Sequence, residues 1–240
     1  MRVLFLHAHP DDETLASGVL IAELAAGGDE VFVLTGTRGE MGEVADAQLR
    51  HLLGTDELSA VREDELAGAL AELGVTGHAW LGTPPARVAG ERPRVYRDSG
   101  MVWVTPTHAG PADDTDPRAL SVGPISEQVA DTIAYCEIVQ PDLLVSYDAD
   151  GGYGHPDHVR LHDVLVEVAR ETGVRASVLT PERGDGVDWY DLPHRLPTVL
   201  TALGHHRTQL SVDGTDVIHS GGQREPVVTA LGLRPLDPDA

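Results

Sequence analysis

The order in which strands and helices follow one another constrains this chain more than any other feature. Val3-Leu4-Phe5-Leu6 is an uninterrupted apolar run of strand length, and Leu15, Val19, Leu20, Ile21 and Leu24 follow it at spacings that share a helical face. The same alternation recurs. Strands are predicted at 2–7, 30–36, 77–81 and 142–147, and helices at 13–27, 57–73, 124–139 and 158–171. Strands apolar on both faces and separated by helices specify an α/β fold: a Rossmann-like, open, mainly parallel sheet with helices on both faces and right-handed crossovers. At 240 residues the chain fits one domain, with a core over 1–173 and a C-terminal extension over 174–240. In the extension a strand is expected over 174–179, one or two helical turns over 196–203 and a hairpin over 210–217 turning at Asp213-Gly214.

Two loops after predicted strands hold the dense His and Asp clusters. His7-Ala8-His9-Pro10-Asp11-Asp12-Glu13 follows the first strand, and Gly154-His155-Pro156-Asp157-His158 follows the strand at 142–147. A capping turn accounts for acids at a helix start, but not for two histidines before them or for a second loop built the same way. In an open parallel sheet ligands bind beyond the carboxyl ends of strands, so the two loops are expected to meet. His9, Asp12 and His158 then offer a metal two nitrogens and one oxygen. Three such ligands leave a position for water, the mark of a catalytic rather than a structural zinc site. Asp11 is the candidate base for that water, and His155 and Tyr153 are candidates to stabilise an oxyanion or protonate a leaving amine. His7 is a candidate donor behind the ligands, His162 a fourth ligand on spacing or an ordinary helix residue, and His205 and His206 can approach from the C-terminal region.

These motifs, with Gly39-Glu40-Met41-Gly42-Glu43 and Arg97-Asp98-Ser99-Gly100-Met101, resemble those of the PIG-L/LmbE-like zinc-dependent N-deacetylases, most nearly the actinobacterial branch of mycothiol metabolism. Four motifs in order span about two-thirds of the chain. The resemblance implies zinc at His9, Asp12 and His158, a general base at Asp11, catalytic roles for His155 and Tyr153, and tuning of His155 by Asp157. It also implies that Glu43, Arg62 and Asp98 hold substrate hydroxyls, although Arg62 reads equally as part of a solvated helix face and Asp98 as half of a surface ion pair with Arg97. The segment 102–114 and the short tail are where departures from the mycothiol branch are expected.

The implied reaction is hydrolysis of the acetamide of an N-acetylglucosamine-type glycoside, a small-molecule substrate. Sibling readings are a mycothiol S-conjugate amidase and a secondary-metabolite N-deacylase. Readings of other classes are a metal-dependent phosphohydrolase and a non-catalytic sugar-binding module. Two imidazoles and a carboxylate suit ferrous iron as well as zinc.

Composition narrows the field. A net charge of −22 leaves no basic stripe for nucleic acid or an anionic membrane. The chain contains no Lys, which removes phosphate-loop and Schiff-base chemistry, and the single Cys136 gives no disulfide framework or cysteine zinc site. The apolar stretch at the start is too short to span a bilayer, and a cytoplasmic location is expected. Connections at 37–56 and 82–120 are long enough to be functional, the second a plausible lid.

Overall fold

The computed structural model describes residues 1–112 and 115–237; Asp113 and Asp114, in the connection expected to form a lid, lie outside the described residues. The first half contains β1 (Arg2–His7), α1 (Asp12–Ala26), β2 (Glu30–Thr35), α2 (Asp56–Leu73), β3 (Gly77–Trp80), β4 (Val102–Thr105), β5 (His108–Gly110) and α3 (Ile125–Val139). The second half contains β6 (Leu143–Ser146), the single turn α4 (Gly151–Gly154), α5 (Pro156–Thr172), β7 (Arg175–Thr180), β8 (Asp188–Asp191), α6 (Leu196–Leu203), β9 (Leu210–Asp213), β10 (Asp216–His219), β11 (Arg224–Pro226) and β12 (Ala230–Pro235). All eight core elements expected from periodicity are present, with ends within two residues of their predicted bounds.

The main sheet has the order β3-β2-β1-β6-β7-β12-β8. Its first five strands are parallel, and β12 and β8 continue it in antiparallel register. The chain steps outward from β1 through β2 to β3, then crosses back to place β6 on the other side of β1. The strand order therefore reverses between β1 and β6, and a crevice opens beyond their carboxyl ends. Both His/Asp loops leave from those two ends.

Alternate side chains of β1 enter two separate cores. Val3 and Phe5 pack with Val19, Leu66 and Val199 of α1, α2 and α6, whereas Leu4 and Leu6 pack with Val129 and Val164 of α3 and α5. This two-sided burial explains why β1 reads as a continuous apolar run.

Differences from expectation concentrate after β3. The 82–120 connection contains the β4–β5 hairpin and is fastened to α3, where Asp131 accepts Arg87 Nη1 at 2.8 Å and the Val88 amide at 2.9 Å. Residues beyond 174 supply three strands of the main sheet, β7, β12 and β8, besides the β9–β10–β11 sheet. Strand β12 escaped notice because Gly232 and Pro235 weaken its pattern. A Cβ at Gly232 would run into the side chains of Val187 and Thr180, so close packing favours the glycine that hides the strand. No helix of the described residues is long and apolar enough to cross a membrane.

Burial pushes two strand histidines, His7 and His78, down to about 4 from an ordinary value of 6.5. Between those values the unfolded chain binds protons that the folded chain does not, so stability must fall as pH drops through this window. The slope approaches about 1.4 kcal/mol per pH unit for each histidine. Urea midpoints at about pH 7 and about pH 5 should differ accordingly, and by less in His78→Gln; an unchanged difference in the variant would contradict the assignment.

Candidate metal centre

Asp12 opens α1 and is nearly buried, as are His9 at the end of the β1 loop and His158 in the first turn of α5. Asp12 Oδ2 lies 3.3 Å from His9 Nδ1 and 3.3 Å from His158 Nε2. Each of these two separations matches the edge of about 3.3 Å of a tetrahedron with arms near 2.05 Å. The second nitrogen of each ring is committed elsewhere: His158 Nδ1 to the Gly151 carbonyl at 3.1 Å, and His9 Nε2 to Asp157 Oδ2 at 3.2 Å. In the neutral rings these bonds place the proton on the far nitrogen and leave the near one bare, the arrangement usual behind a metal-ligating histidine. His158 Nε2 is correspondingly a buried nitrogen without a hydrogen-bond partner. Gly151 makes the geometry possible: its φ is +61°, and a Cβ there would lie 2.8 Å from the Val159 amide nitrogen.

Among the described residues, the groupings whose potential ligand atoms all lie within 4.8 Å of one another are His9 with His155 and His158, and His9 with Asp98 and Asp157; His9, Asp12 and His158 meet pairwise only at Asp12 Oδ2. In the first, His155 Nδ1 already accepts the Asp157 amide at 3.2 Å. In the second, Asp157 accepts both the amide and the hydroxyl of Ser99 besides His9. In the set expected from sequence, His158 Nε2 has no hydrogen-bond partner and lies 3.3 Å from Asp12 Oδ2.

Tyr147, the residue just after β6, holds this set together. Its hydroxyl accepts the Ala8 amide at 2.9 Å and donates to Asp12 Oδ2 at 2.8 Å, while its ring stacks on His158 at 4.1 Å with an interplanar angle of 9°. The proton's destination follows from its neighbours. Ser17 donates to the Glu13 carbonyl at 3.0 Å, so it accepts from His7 Nε2 at 2.9 Å, which leaves His7 Nδ1 bare. Of the two acceptors facing the Tyr147 hydroxyl, Asp12 at 2.8 Å is closer than His7 Nδ1 at 3.3 Å. Tyr147 was not singled out from sequence; its position at the end of the strand that carries the second loop was the available signal.

The electrostatics favour a cation. Burial opposes charge on His9, yet Asp98, Asp12 and Asp157 together raise its pKa well above the ordinary value. Burial, with the charge of Asp12 adding to it, pushes Asp11 up to about 8 despite His206 and His9. A divalent ion beside Asp12 would act in the opposite direction on Asp11. Burial, together with His9 and His158, pushes His155 down to about 2, so its ring is neutral. Because His155 Nδ1 accepts the Asp157 amide, its proton sits on Nε2 and remains available for donation. Burial and the nearby carboxylates also raise Tyr153, keeping its hydroxyl protonated.

The remaining expected site residues fall in three places. Asp98 is buried, not part of a surface pair: its Oδ1 lies 3.7 Å from His9 Nε2 and accepts the Gly100 amide, and its Oδ2 accepts the Met41 amide. Arg97 pairs instead with Glu40 and Asp116. Arg62 is 1% exposed, not on a solvated face, and its guanidinium binds the carbonyls of Gly39, Gly42 and Glu43 and the Thr208 hydroxyl. It therefore clamps the 39–43 loop, while the Glu43 side chain is exposed. Asp157 contacts His9 through its carboxylate and His155 only through its amide. His162 Nδ1 contacts the Tyr147 carbonyl, His205 lies 3.9 Å from Glu72, and His206 is buried against Glu13. Trp103, on the hairpin that sequence reading missed, stacks on Tyr153 with ring centroids 5.9 Å apart.

Residues 4–169 match the PIG-L family, described as GlcNAc-PI de-N-acetylase. The chain is 43% identical over 262 residues to 1D-myo-inositol 2-acetamido-2-deoxy-alpha-D-glucopyranoside deacetylase of Saccharomonospora viridis, covering 95% of this chain and 92% of that protein. It is 44% identical over 185 residues to the protein of the same name from Kineococcus radiotolerans, covering 77% of this chain but only 46% of the relative's length. In fold it resembles N,N'-diacetylchitobiose deacetylase from Pyrococcus horikoshii, with a TM-score of 0.59, 23% identity, and coverage of 86% of this chain and 70% of that one.

Removing the Tyr147 hydroxyl tests its place in the centre. Tyr147→Phe keeps the ring stacked on His158 but frees Asp12, and zinc affinity measured by competition with a chelator should fall about 10-fold to 100-fold. Unchanged affinity would show that Asp12 needs no such support.

Proposed function

Because the chain belongs to the PIG-L family of de-N-acetylases, we propose that it is a metal-dependent amide hydrolase that removes the acetyl group of an N-acetylglucosamine-type glycoside. The observation that carries the reading is the buried, unpartnered His158 Nε2 facing Asp12, with Asp11 next in the chain. The two curated relatives named above are deacetylases of an acetamido-sugar linked to inositol, which supports the same amide chemistry for this chain's site.

His9, Asp12 and His158 would hold the ion, zinc by the ligand set and ferrous iron as the alternative. Such an ion supplies Lewis acidity and makes a neighbouring water acidic near neutral pH. Asp11 accepts a proton from the attacking water as its oxygen bonds to the carbonyl carbon. The Tyr153 hydroxyl and His155 Nε2–H donate to the oxyanion that develops. Asp11 returns its proton to the nitrogen as the C–N bond breaks, giving the free amine and acetic acid, which ionises to acetate by losing its proton to the amine or to solvent. Asp157 orients His9 rather than His155. Asp98 and Glu43 are the groups we assign to substrate hydroxyls, and Arg62 supports them by fixing the 39–43 loop.

Asp11→Ala should retain one equivalent of metal and lose about 100-fold to 10,000-fold in kcat on an N-acetylglucosaminide. His158→Ala should lose both metal and turnover. Metal analysis beside steady-state kinetics distinguishes the two, and undiminished hydrolysis by Asp11→Ala would remove the base from this scheme.

A further inference from the structure

Asp11 adopts a backbone conformation that L-residues rarely occupy, with φ 102° and ψ −31°. Aspartate visits positive φ more readily than most residues, but this value lies beyond the left-handed helical well and must be enforced by its surroundings. The enforcing contacts converge on one peptide, the bond between Pro10 and Asp11. Its carbonyl accepts Gln209 Nε2 at 2.6 Å, and its N–H donates to Glu13 Oε2 at 3.0 Å. Glu13 is in turn fixed by His206, whose Nε2 meets Oε1 at 3.1 Å with both side chains fully buried.

Gln209 and His206 belong to one tight turn between α6 and β9, in which the amides of Gln209 and Leu210 both bond the His206 carbonyl at 3.0 Å. A peptide plane can reorient only if its carbonyl and N–H swing together. Here one end is tied by the turn directly and the other through Glu13. Fixing that plane fixes the direction in which the Asp11 Cα–Cβ bond leaves the backbone, and with it the range its carboxylate can reach. Residues matched to the family end at 169, so the turn lies outside that segment.

We propose that His206 and Gln209 are positioning residues that hold the Asp11 carboxylate in line with the attacking water; the proposal rests on Asp11 being the proton acceptor. Neither residue touches the metal-ligating atoms, so their loss is expected to affect turnover and leave binding intact. The critical variant is Gln209→Met, which keeps the bulk and removes the donor. His206→Phe removes the donor to Glu13, and His206→Gln retains an N–H there.

For Gln209→Met and His206→Phe, kcat on an N-acetylglucosaminide should fall about 10-fold to 100-fold, the scale of a slightly misplaced reacting group. KM and zinc affinity should stay within about twofold of wild type, and His206→Gln should recover most of the kcat lost in His206→Phe. Wild-type kcat in Gln209→Met, or a loss that tracks lost zinc, overturns the proposal. If His206→Phe fails to fold, Gln209→Met decides. If wild-type protein hydrolyses no N-acetylglucosaminide, the functional reading fails instead, and a crystal structure of Gln209→Met tests the clamp: relaxation of Asp11 to negative φ supports it, and an unmoved Asp11 refutes it.

Discussion

The structure depends on one carboxylate oxygen shared between two loops. Asp12 Oδ2 accepts the His9 amide and the Tyr147 hydroxyl and lies 3.3 Å from ring nitrogens of both His9 and His158, drawing on residues from both sides of the strand reversal. Burial disfavours charge on Asp12, yet His158 and His9 hold its pKa well below the ordinary carboxylate range. An ionised, buried oxygen with this company is costly unless a positive charge joins it. The parallel sheet makes the meeting possible, because neighbouring strands that run the same way deliver their following loops to the same end.

Around that oxygen the side chains divide the work by depth. Asp157, the Gly151 carbonyl and Tyr147 fix which nitrogen or oxygen of each candidate ligand faces inward. Asp98 faces the same space from the 97–101 loop, and Arg62 fastens the neighbouring 39–43 loop from behind. Asp11 stands apart from the ligating atoms in a strained conformation, as expected of a group whose aim matters more than its comfort. Tyr153 and Trp103 form an aromatic edge where the hairpin approaches the centre.

Much of this was legible in the residues. The β1 run and the periodic helices located the core elements, and the clusters at 7–13 and 154–158 were correctly expected to meet, because topology fixes where loops after parallel strands emerge. Arg62 shows the opposite case. Its helical neighbours Glu63 and Asp64 look solvated, and only the packing of the 39–43 loop and Thr208 over it reveals a buried guanidinium. The β4–β5 hairpin and β12 were missed because the first exposes all four residues of β4 and the second is broken by glycine and proline.

By itself, the amino-acid order marked the candidate groups and the end of the sheet they occupy, since the clusters stand in the chain and their place follows from local periodicity and strand direction. Tertiary structure alone decided how each group is aimed. Contacts separated by more than 130 residues, Tyr147 to Asp12, Asp157 to His9 and Gln209 to Pro10, select the ring nitrogen, the carboxylate oxygen and the peptide orientation. Hydrogen-bond direction depends on distances of a few ångströms between remote segments, and no local pattern in the chain encodes those distances.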